Sequence, residues 1–215
     1  FAFKKLKRRT RFINNNMLRR NFIKSTSKLL LTIPFGMSSF DFEKLIVSKD
    51  LIVGHNDHKY KVDMLWGALD PSKFPVKDCH EMAIDSKGRI VLLTNHTKNN
   101  VIIYNKDGGV EQAWGTAYPG AHGLTLVDEG GEDMLYITDT ERHEVIKTTI
   151  DGKVIMTLQY PADFKGYNNA GQYVPTETAI AQNGDIYVAD GYGAQYIMHY
   201  NAKGELQNVF GGPVK

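Results

Sequence analysis

Short apolar runs rich in Val, Ile and Tyr alternate with turn residues along the chain from about residue 79 onwards. In the segment CHEMAIDSKGRIVLLTNHTKNNVIIYNKDGGVEQAWG, four such runs lie at about 80–85, 89–95, 99–105 and 110–115. Runs of this length and composition, separated by Gly with Asp, Asn or Lys, predict β-strands joined by tight hairpins. No stretch of ten or more residues has the 3.6-residue period of an amphipathic helix. The pattern therefore predicts an all-β fold.

The same four-run pattern occurs three times, at 78–115, 120–160 and 174–211, with an insertion at 162–173 that predicts a surface loop. Four strands in about 40 residues are typical of a β-propeller blade. The segment 60–67, YKVDMLWG, predicts a single outer strand that would complete the last blade of the ring. Because propellers have about four to eight blades, three blades predict a piece of a larger, six-bladed type of ring with open faces on its first and last blades.

Charge is distributed unevenly along the chain. Residues 1–28 hold ten Lys or Arg and no acidic residue, which leaves 16 basic and 24 acidic residues, a net charge of −8, in the rest. A folded body of this charge argues against nucleic-acid binding. Cys79 is the one cysteine, so no internal disulfide can form. No apolar run approaches the ~20 residues of a transmembrane helix, so none is predicted.

The N-terminal part contains a candidate targeting segment. Met17 is the first methionine, and we expect residues 1–16 to be read-through from upstream of the true start. In 17–40, Arg19 and Arg20 precede Phe22, Ile23 and Lys24 and a short apolar stretch, which resembles a twin-arginine export signal and implies a periplasmic or extracellular protein. The alternative is a basic, solvated tail. Residues 41–59 are interpreted as a linker.

Candidate chemistry follows from aligning the repeats, whose four strands we call A to D. In an antiparallel meander, the start of strand A and the B–C connection lie at the same end of a blade, and strand A is innermost. Several side chains should therefore surround one mouth of the central channel: His80, His122, Thr176, Glu177, Thr97, Lys98, Glu141 and Tyr192. His80 and His122 could share a metal ion through neutral ring nitrogens. The alternative is that both histidines hydrogen-bond to backbone at the strand start.

Three segments, AHGLTL at 121–126, PTETAI at 175–180 and VADGYG at 188–193, resemble NHL-type propellers and, among them, peptidyl-α-hydroxyglycine α-amidating lyases. The resemblance covers about 78–211. It implies that His122 ligates a catalytic zinc, that Tyr192 acts in proton transfer, and that the backbone carbonyl of Leu124 holds a structural calcium. The implied reaction is C–N cleavage of a C-terminal α-hydroxyglycine to an amide and glyoxylate.

The sequence departs from the family pattern at three places. Thr97 and Lys98 stand where the resemblance implies a catalytic arginine, Ala121 stands where it implies a proline, and His80 is an additional channel histidine. The other two implied zinc ligands belong to later blades. Two functions stay open: a scaffold that binds a peptide, another small ligand or a partner protein at the channel mouth, and a zinc-dependent lyase.

Overall fold

A computed structural model of the chain describes residues 2–5 and 51–213. The chain divides into two compact units, 1–66 and 67–215. The twin-arginine-like segment at 17–40 lies outside the described residues. Within the part of the chain that the structure covers, no helix is long and apolar enough to cross a membrane.

The first unit contains a three-stranded antiparallel sheet in the order β1-β3-β2, made of β1 (Ala2–Lys5), β2 (Leu51–His55) and β3 (His58–Asp63). β2 and β3 form a hairpin in which His55 pairs with His58 across a two-residue turn, and Asn56 has φ 52°. A positive φ suits Asn in such turns. The expected linker thus contains a strand, and β1 lies in the stretch interpreted as read-through. The closing role predicted for 60–67 stays a prediction.

The second unit consists of three four-stranded antiparallel sheets, each a simple meander. In the first of them, the strands follow the four predicted runs to within two residues, because the turn glycines set the ends of the runs. Blade 1 contains β4 (Cys79–Ile84), β5 (Ile90–Thr94), β6 (Val101–Tyr104) and β7 (Val110–Trp114). Blade 2 contains β8 (Ala121–Asp128), β9 (Asp133–Asp139), β10 (Glu144–Thr149) and β11 (Val154–Leu158). Blade 3 contains β12 (Glu177–Ile180), β13 (Ile186–Ala189), β14 (Tyr196–Tyr200) and β15 (Leu206–Gly211).

The blades are arranged side by side around their first strands, since β8 contacts both β4 and β12. Each boundary between blades is a separate apolar core. Leu93 and Ile103 of blade 1 pack with Leu135 and Ile137 of blade 2. At the other boundary, Met134 and Tyr136 of blade 2 pack with residues of blade 3 that include Ile186, Val188 and Met198. This is the radial arrangement of β-propeller blades, as the sequence predicts.

The segment between blades 2 and 3 is irregular apart from a 3₁₀ turn at Ala170–Gln172. The sequence predicts a surface loop here. Two of its side chains, Tyr167 and Tyr173, are instead buried and belong to the core of the second boundary. Phenol rings bury a large apolar area, and this outweighs the polar composition of the surrounding residues. The insertion is therefore part of the contact between two blades.

A buried amide joins blade 1 to the segment that leads into blade 2. Asn100 is fully buried; its Nδ2 donates to the Thr94 and Tyr118 carbonyls at 3.1 and 2.8 Å, and its Oδ1 accepts from the Tyr118 amide at 3.1 Å. Both polar atoms of the Asn100 side chain are therefore used.

Replacing Asn100 with Asp should destabilise the fold by about 2–4 kcal/mol, because a carboxylate would face two buried carbonyl oxygens. Urea denaturation measures the change. The matched control is Asn105→Asp, where only the side-chain oxygen is used, accepting from the Asp107 and Gly109 amides. The control should cost less than about 1 kcal/mol. Equal effects of the two variants would contradict the role assigned to Asn100.

Candidate functional site at the channel mouth

The two candidate histidines lie where their strands are irregular. In blade 1 the register shifts between Cys79 and Glu81, and in blade 2 it shifts between Ala121 and Leu124. Each shift is a β-bulge with one extra residue on strand A, and a bulge re-aims the side chain that it carries. His80 and His122 therefore leave the regular alternation of their strands. Their rings stack with centroids 4.4 Å apart and planes inclined by 25°.

His122 makes two hydrogen bonds to blade 3. Its Nδ1 lies 3.0 Å from the Thr176 carbonyl oxygen, and its Nε2 lies 3.1 Å from the Tyr192 hydroxyl. Because a carbonyl can only accept, Nδ1 carries the proton and Nε2 presents a lone pair that accepts from the phenol. The Tyr192 ring meets the imidazole edge-on, at a centroid distance of 5.0 Å and 84°.

This arrangement fits His122 as a metal ligand through Nε2, since ligating histidines commonly donate the other ring nitrogen to a carbonyl. His80 does not fit the same ion in its present orientation. The ring centroids are 4.4 Å apart and the planes are inclined by only 25°, so the two planes meet much farther from the nitrogens than the ~2.0–2.1 Å of a Zn–N bond. Sharing one ion requires His80 to rotate. Among the described residues, no group of three or more His, Cys, Asp or Glu is arranged to hold a metal ion.

Tyr192 lies in a B–C corner built around a buried carboxylate. Asp190 is 1% exposed, its Oδ1 accepts from the Val174 amide at 2.7 Å, and its Oδ2 accepts from the Ala194 amide and the Tyr167 hydroxyl at 2.7 and 2.8 Å. The corner is thus held by hydrogen bonds from its own backbone and from Tyr167 of the insertion, while Tyr192 is 68% exposed. A fixed backbone presents a solvent-accessible phenol at His122.

The other predicted channel-mouth residues are not part of this contact. Thr97, Lys98 and Glu141 are exposed, and within the described residues they make no hydrogen bond or ring contact with either histidine. The Lys98 amide donates to Nδ1 of His96, and the Glu141 amide donates to Oδ1 of Asp139. Both are local turn interactions. Only the first position of each inner strand and Tyr192 come together.

Sequence reasoning missed a second feature, which links all three inner strands just along from the histidines. Oε2 of Glu81 accepts from the amide of Leu124 at 2.8 Å, and Oε1 of Glu177 accepts from the Thr125 hydroxyl at 3.2 Å. Burial and a hydrogen bond with Glu81 raise the pKa of Glu177 to about 7. The raised pKa favours the protonated, neutral form of the Glu177 carboxyl group. The signal was available, because both glutamates directly follow the aligned positions of His80 and Thr176.

In sequence, the chain is similar to peptidyl-α-hydroxyglycine α-amidating lyases and to an NHL repeat-containing protein. The chain is 39% identical over 114 residues to peptidyl-α-hydroxyglycine α-amidating lyase 1 of Drosophila melanogaster, a match that covers 49% of this chain and 20% of that protein. It is 31% identical over 169 residues to the probable peptidyl-α-hydroxyglycine α-amidating lyase pgal-1 of Caenorhabditis elegans, covering 66% of this chain and 46% of that protein. The human NHL repeat-containing protein 3 is 27% identical over 119 residues, covering 52% of this chain and 34% of that protein.

The chain spans less than half the length of these relatives, and no family model matches it. Among solved structures, virginiamycin B lyase from Staphylococcus aureus aligns with a TM-score of 0.49 at 16% identity, over 64% of this chain and 42% of that one. The radially arranged four-stranded meanders, together with the similarity to an NHL repeat-containing protein, define the class: an NHL-like β-propeller, of which three blades are described. In sequence the chain is similar to peptidyl-α-hydroxyglycine α-amidating lyases.

The raised pKa of Glu177 predicts a pH-dependent contribution to stability. The folded carboxyl keeps its proton up to about pH 7, whereas the unfolded one loses it near 4.5, so the folded state binds more protons between these values. The free energy of unfolding should therefore fall as pH rises through this range. Glu177→Gln, which stays neutral, should lack this part of the decrease, so its stability relative to wild type should rise from pH 5 to pH 7.

Urea denaturation at several pH values, in the presence of EDTA, measures this difference. Glu132→Gln is the control, because it makes the same change at an exposed residue in the turn between β8 and β9. A constant difference between wild type and Glu177→Gln over this pH range would contradict the raised pKa of Glu177.

Proposed function

We propose that the chain is part of an exported, zinc-dependent lyase that cleaves peptides ending in α-hydroxyglycine. The observation that carries the proposal is the contact between His122 and Tyr192, the two residues to which the family resemblance assigns zinc ligation and proton transfer, at 3.1 Å. Similarity to two amidating lyases, over 49% and 66% of this chain, supports it.

In this proposal Nδ1 of His122 would keep donating to the Thr176 carbonyl, and Nε2 would hold zinc once the Tyr192 hydroxyl, which donates to the single lone pair of that nitrogen, turns aside. The zinc would polarise the hydroxyl of the substrate's terminal α-hydroxyglycine and lower its pKa. The Tyr192 phenol, next to the same nitrogen and open to solvent, would exchange a proton with that hydroxyl at its own oxygen. Loss of the hydroxyl proton allows the carbonyl of glyoxylate to form while the C–N bond breaks, and the departing nitrogen takes up a proton to give the amide.

A structural calcium at the Leu124 carbonyl is also proposed. The carboxyl groups of Glu81 and Glu177 support it. They accept hydrogen bonds from Leu124 and Thr125 of β8, and carboxylate oxygens are ligands that Ca²⁺ prefers.

A non-catalytic scaffold that binds a peptide or a partner protein at the same mouth is the second candidate. Two observations favour it: Thr97 occupies the position of the implied arginine, and only one of the two stacked imidazoles is oriented for a metal ion. In that case Tyr192 and the two rings would form an aromatic contact surface for a ligand, and no glyoxylate would be released.

Zinc analysis and activity together test the proposal. In the complete protein of which this chain is proposed to be part, which would supply the other two ligands, wild type and His58→Ala should retain the metal after dialysis against buffered zinc, and His122→Ala should lose it. His58 is the control because it is an exposed residue of the β2–β3 hairpin. Tyr192→Phe should keep zinc but release glyoxylate from an α-hydroxyglycine peptide about 10²-fold or more slowly, since it lacks the transferable proton. Equal zinc contents in wild type and His122→Ala would refute zinc binding at this site.

Export is proposed from the paired Arg19 and Arg20, which precede Phe22 as in a twin-arginine signal. Replacing both with Lys should stop transport of a fused reporter into the periplasm of a bacterial host, because the receptor reads the arginine pair. Fractionation measures the reporter. Arg8→Lys with Arg9→Lys is the matched control, since these arginines are also paired but lie before Met17. Undiminished transport after replacement of Arg19 and Arg20 would refute the signal.

A further inference from the structure

The orientation of the His122 ring depends on a backbone distortion in strand β8. The regular pairing of β8 with β9 is interrupted between Ala121 and Leu124, opposite Asp139 and Ile137. In such a bulge, one backbone amide loses its partner in the neighbouring strand. The amide of Gly123 is buried here, and without another acceptor it would cost about 1–3 kcal/mol.

The acceptor is a side chain of the neighbouring strand. The Gly123 amide donates to Oγ1 of Thr138 at 2.7 Å, and Thr138 is fully buried in β9. The hydroxyl therefore replaces a ladder hydrogen bond and stabilises the bulge. Valine has nearly the same shape as threonine but has no acceptor, so it would leave the amide unpaired.

Gly123 is also required by the close approach of blade 3. A Cβ atom at this position would overlap the Thr176 carbonyl oxygen and would lie 3.0 Å from both the Glu177 Cα and the Thr138 hydroxyl. That same carbonyl oxygen accepts from Nδ1 of His122. Only a residue without a side chain allows the carbonyl to reach the imidazole.

We propose that Thr138 and Gly123 are positioning residues for His122: the bulge that they hold directs Nδ1–H to the Thr176 carbonyl and leaves the Nε2 lone pair at the channel mouth. The ring is thereby held in one tautomer. This inference extends the proposed function to two residues that touch neither substrate nor metal, but its geometry stands without a metal ion. The bulge, Gly123 and the buried Thr138 hydroxyl thus act together to orient the His122 ring.

Two-bond ¹H–¹⁵N spectra of the chain labelled at histidine ring nitrogens test the tautomer at pH 8, where an ordinary imidazole is neutral. The His122 signals are assigned by their absence from His122→Gln. Wild type should show a protonated Nδ1 and an unprotonated Nε2. In Thr138→Val the two shifts should move towards each other, because the ring samples both tautomers. Thr138→Ser, which keeps the hydroxyl, should resemble wild type.

Thr148→Val is the matched control. Thr148 is also a fully buried strand threonine of blade 2, but its hydroxyl has no hydrogen-bond partner in the part of the chain that the structure covers. Its replacement should leave the His122 spectrum unchanged. Titration of the complete protein, which would supply the other two implied ligands, with Co²⁺ gives a second readout: Thr138→Val should weaken Kd about tenfold, the size of effect expected for a residue that orients a metal ligand, and Thr148→Val should not.

An Nε2-protonated His122 in wild type would overturn the inference whether or not any variant folds. An unchanged His122 spectrum in Thr138→Val would overturn it as well. If wild type has the expected tautomer but binds no Co²⁺, the positioning stands and the zinc part of the proposed function fails, so the two failures are distinguishable.

Discussion

The close approach of the inner strands of blades 2 and 3 is the constraint on which the candidate site depends. At Gly123 the two backbones are so near that a methyl group would overlap the Thr176 carbonyl oxygen. The apolar cores at the two blade boundaries are stabilised by non-directional burial, which tolerates small shifts. Here, by contrast, a hydrogen bond from an imidazole fixes the spacing. The site is thus formed by the contact between blades and does not belong to either blade alone.

Buried polar groups organise the corners around this contact. Asn100, Thr138 and Asp190 are each at most 1% exposed, and each bonds backbone groups that the sheets leave unpaired. Leaving such groups unpaired is costly in a core, so these side chains determine where the chain turns and which residues it presents. In blade 3, this places Tyr192 in solvent on a rigid base, while the carboxylate beneath it also anchors the insertion through Tyr167.

The strands and the proximity of His80, His122 and Tyr192 could be predicted from the sequence, because both follow from the repeat and from the geometry of a meander. The orientation of the rings could not. It depends on bulges at Cys79–Glu81 and Ala121–Leu124, and a bulge leaves the pattern of apolar residues almost unchanged. The burial of Tyr167 in the insertion was also missed, since composition describes exposure only on average. The Glu81–Glu177 pair was also missed, because the repeats were compared at the first position of each inner strand and not at the residue that follows it.

Strand β9 has a further consequence for how the central blade finds its alignment. Leu135 and Ile137 lie in one core and Met134 and Tyr136 in the other, so apolar side chains line both of its faces. Sliding the strand by one residue would exchange the two sets without exposing an apolar face, and hydrophobicity alone therefore discriminates poorly against it. The correct register must therefore be selected by the turn before the strand. In this turn Gly130 and Gly131 have φ of 69° and 93°, and Oδ1 of Asp128 accepts from the Gly131 amide at 2.6 Å. A four-residue turn thus sets the register of the whole middle sheet.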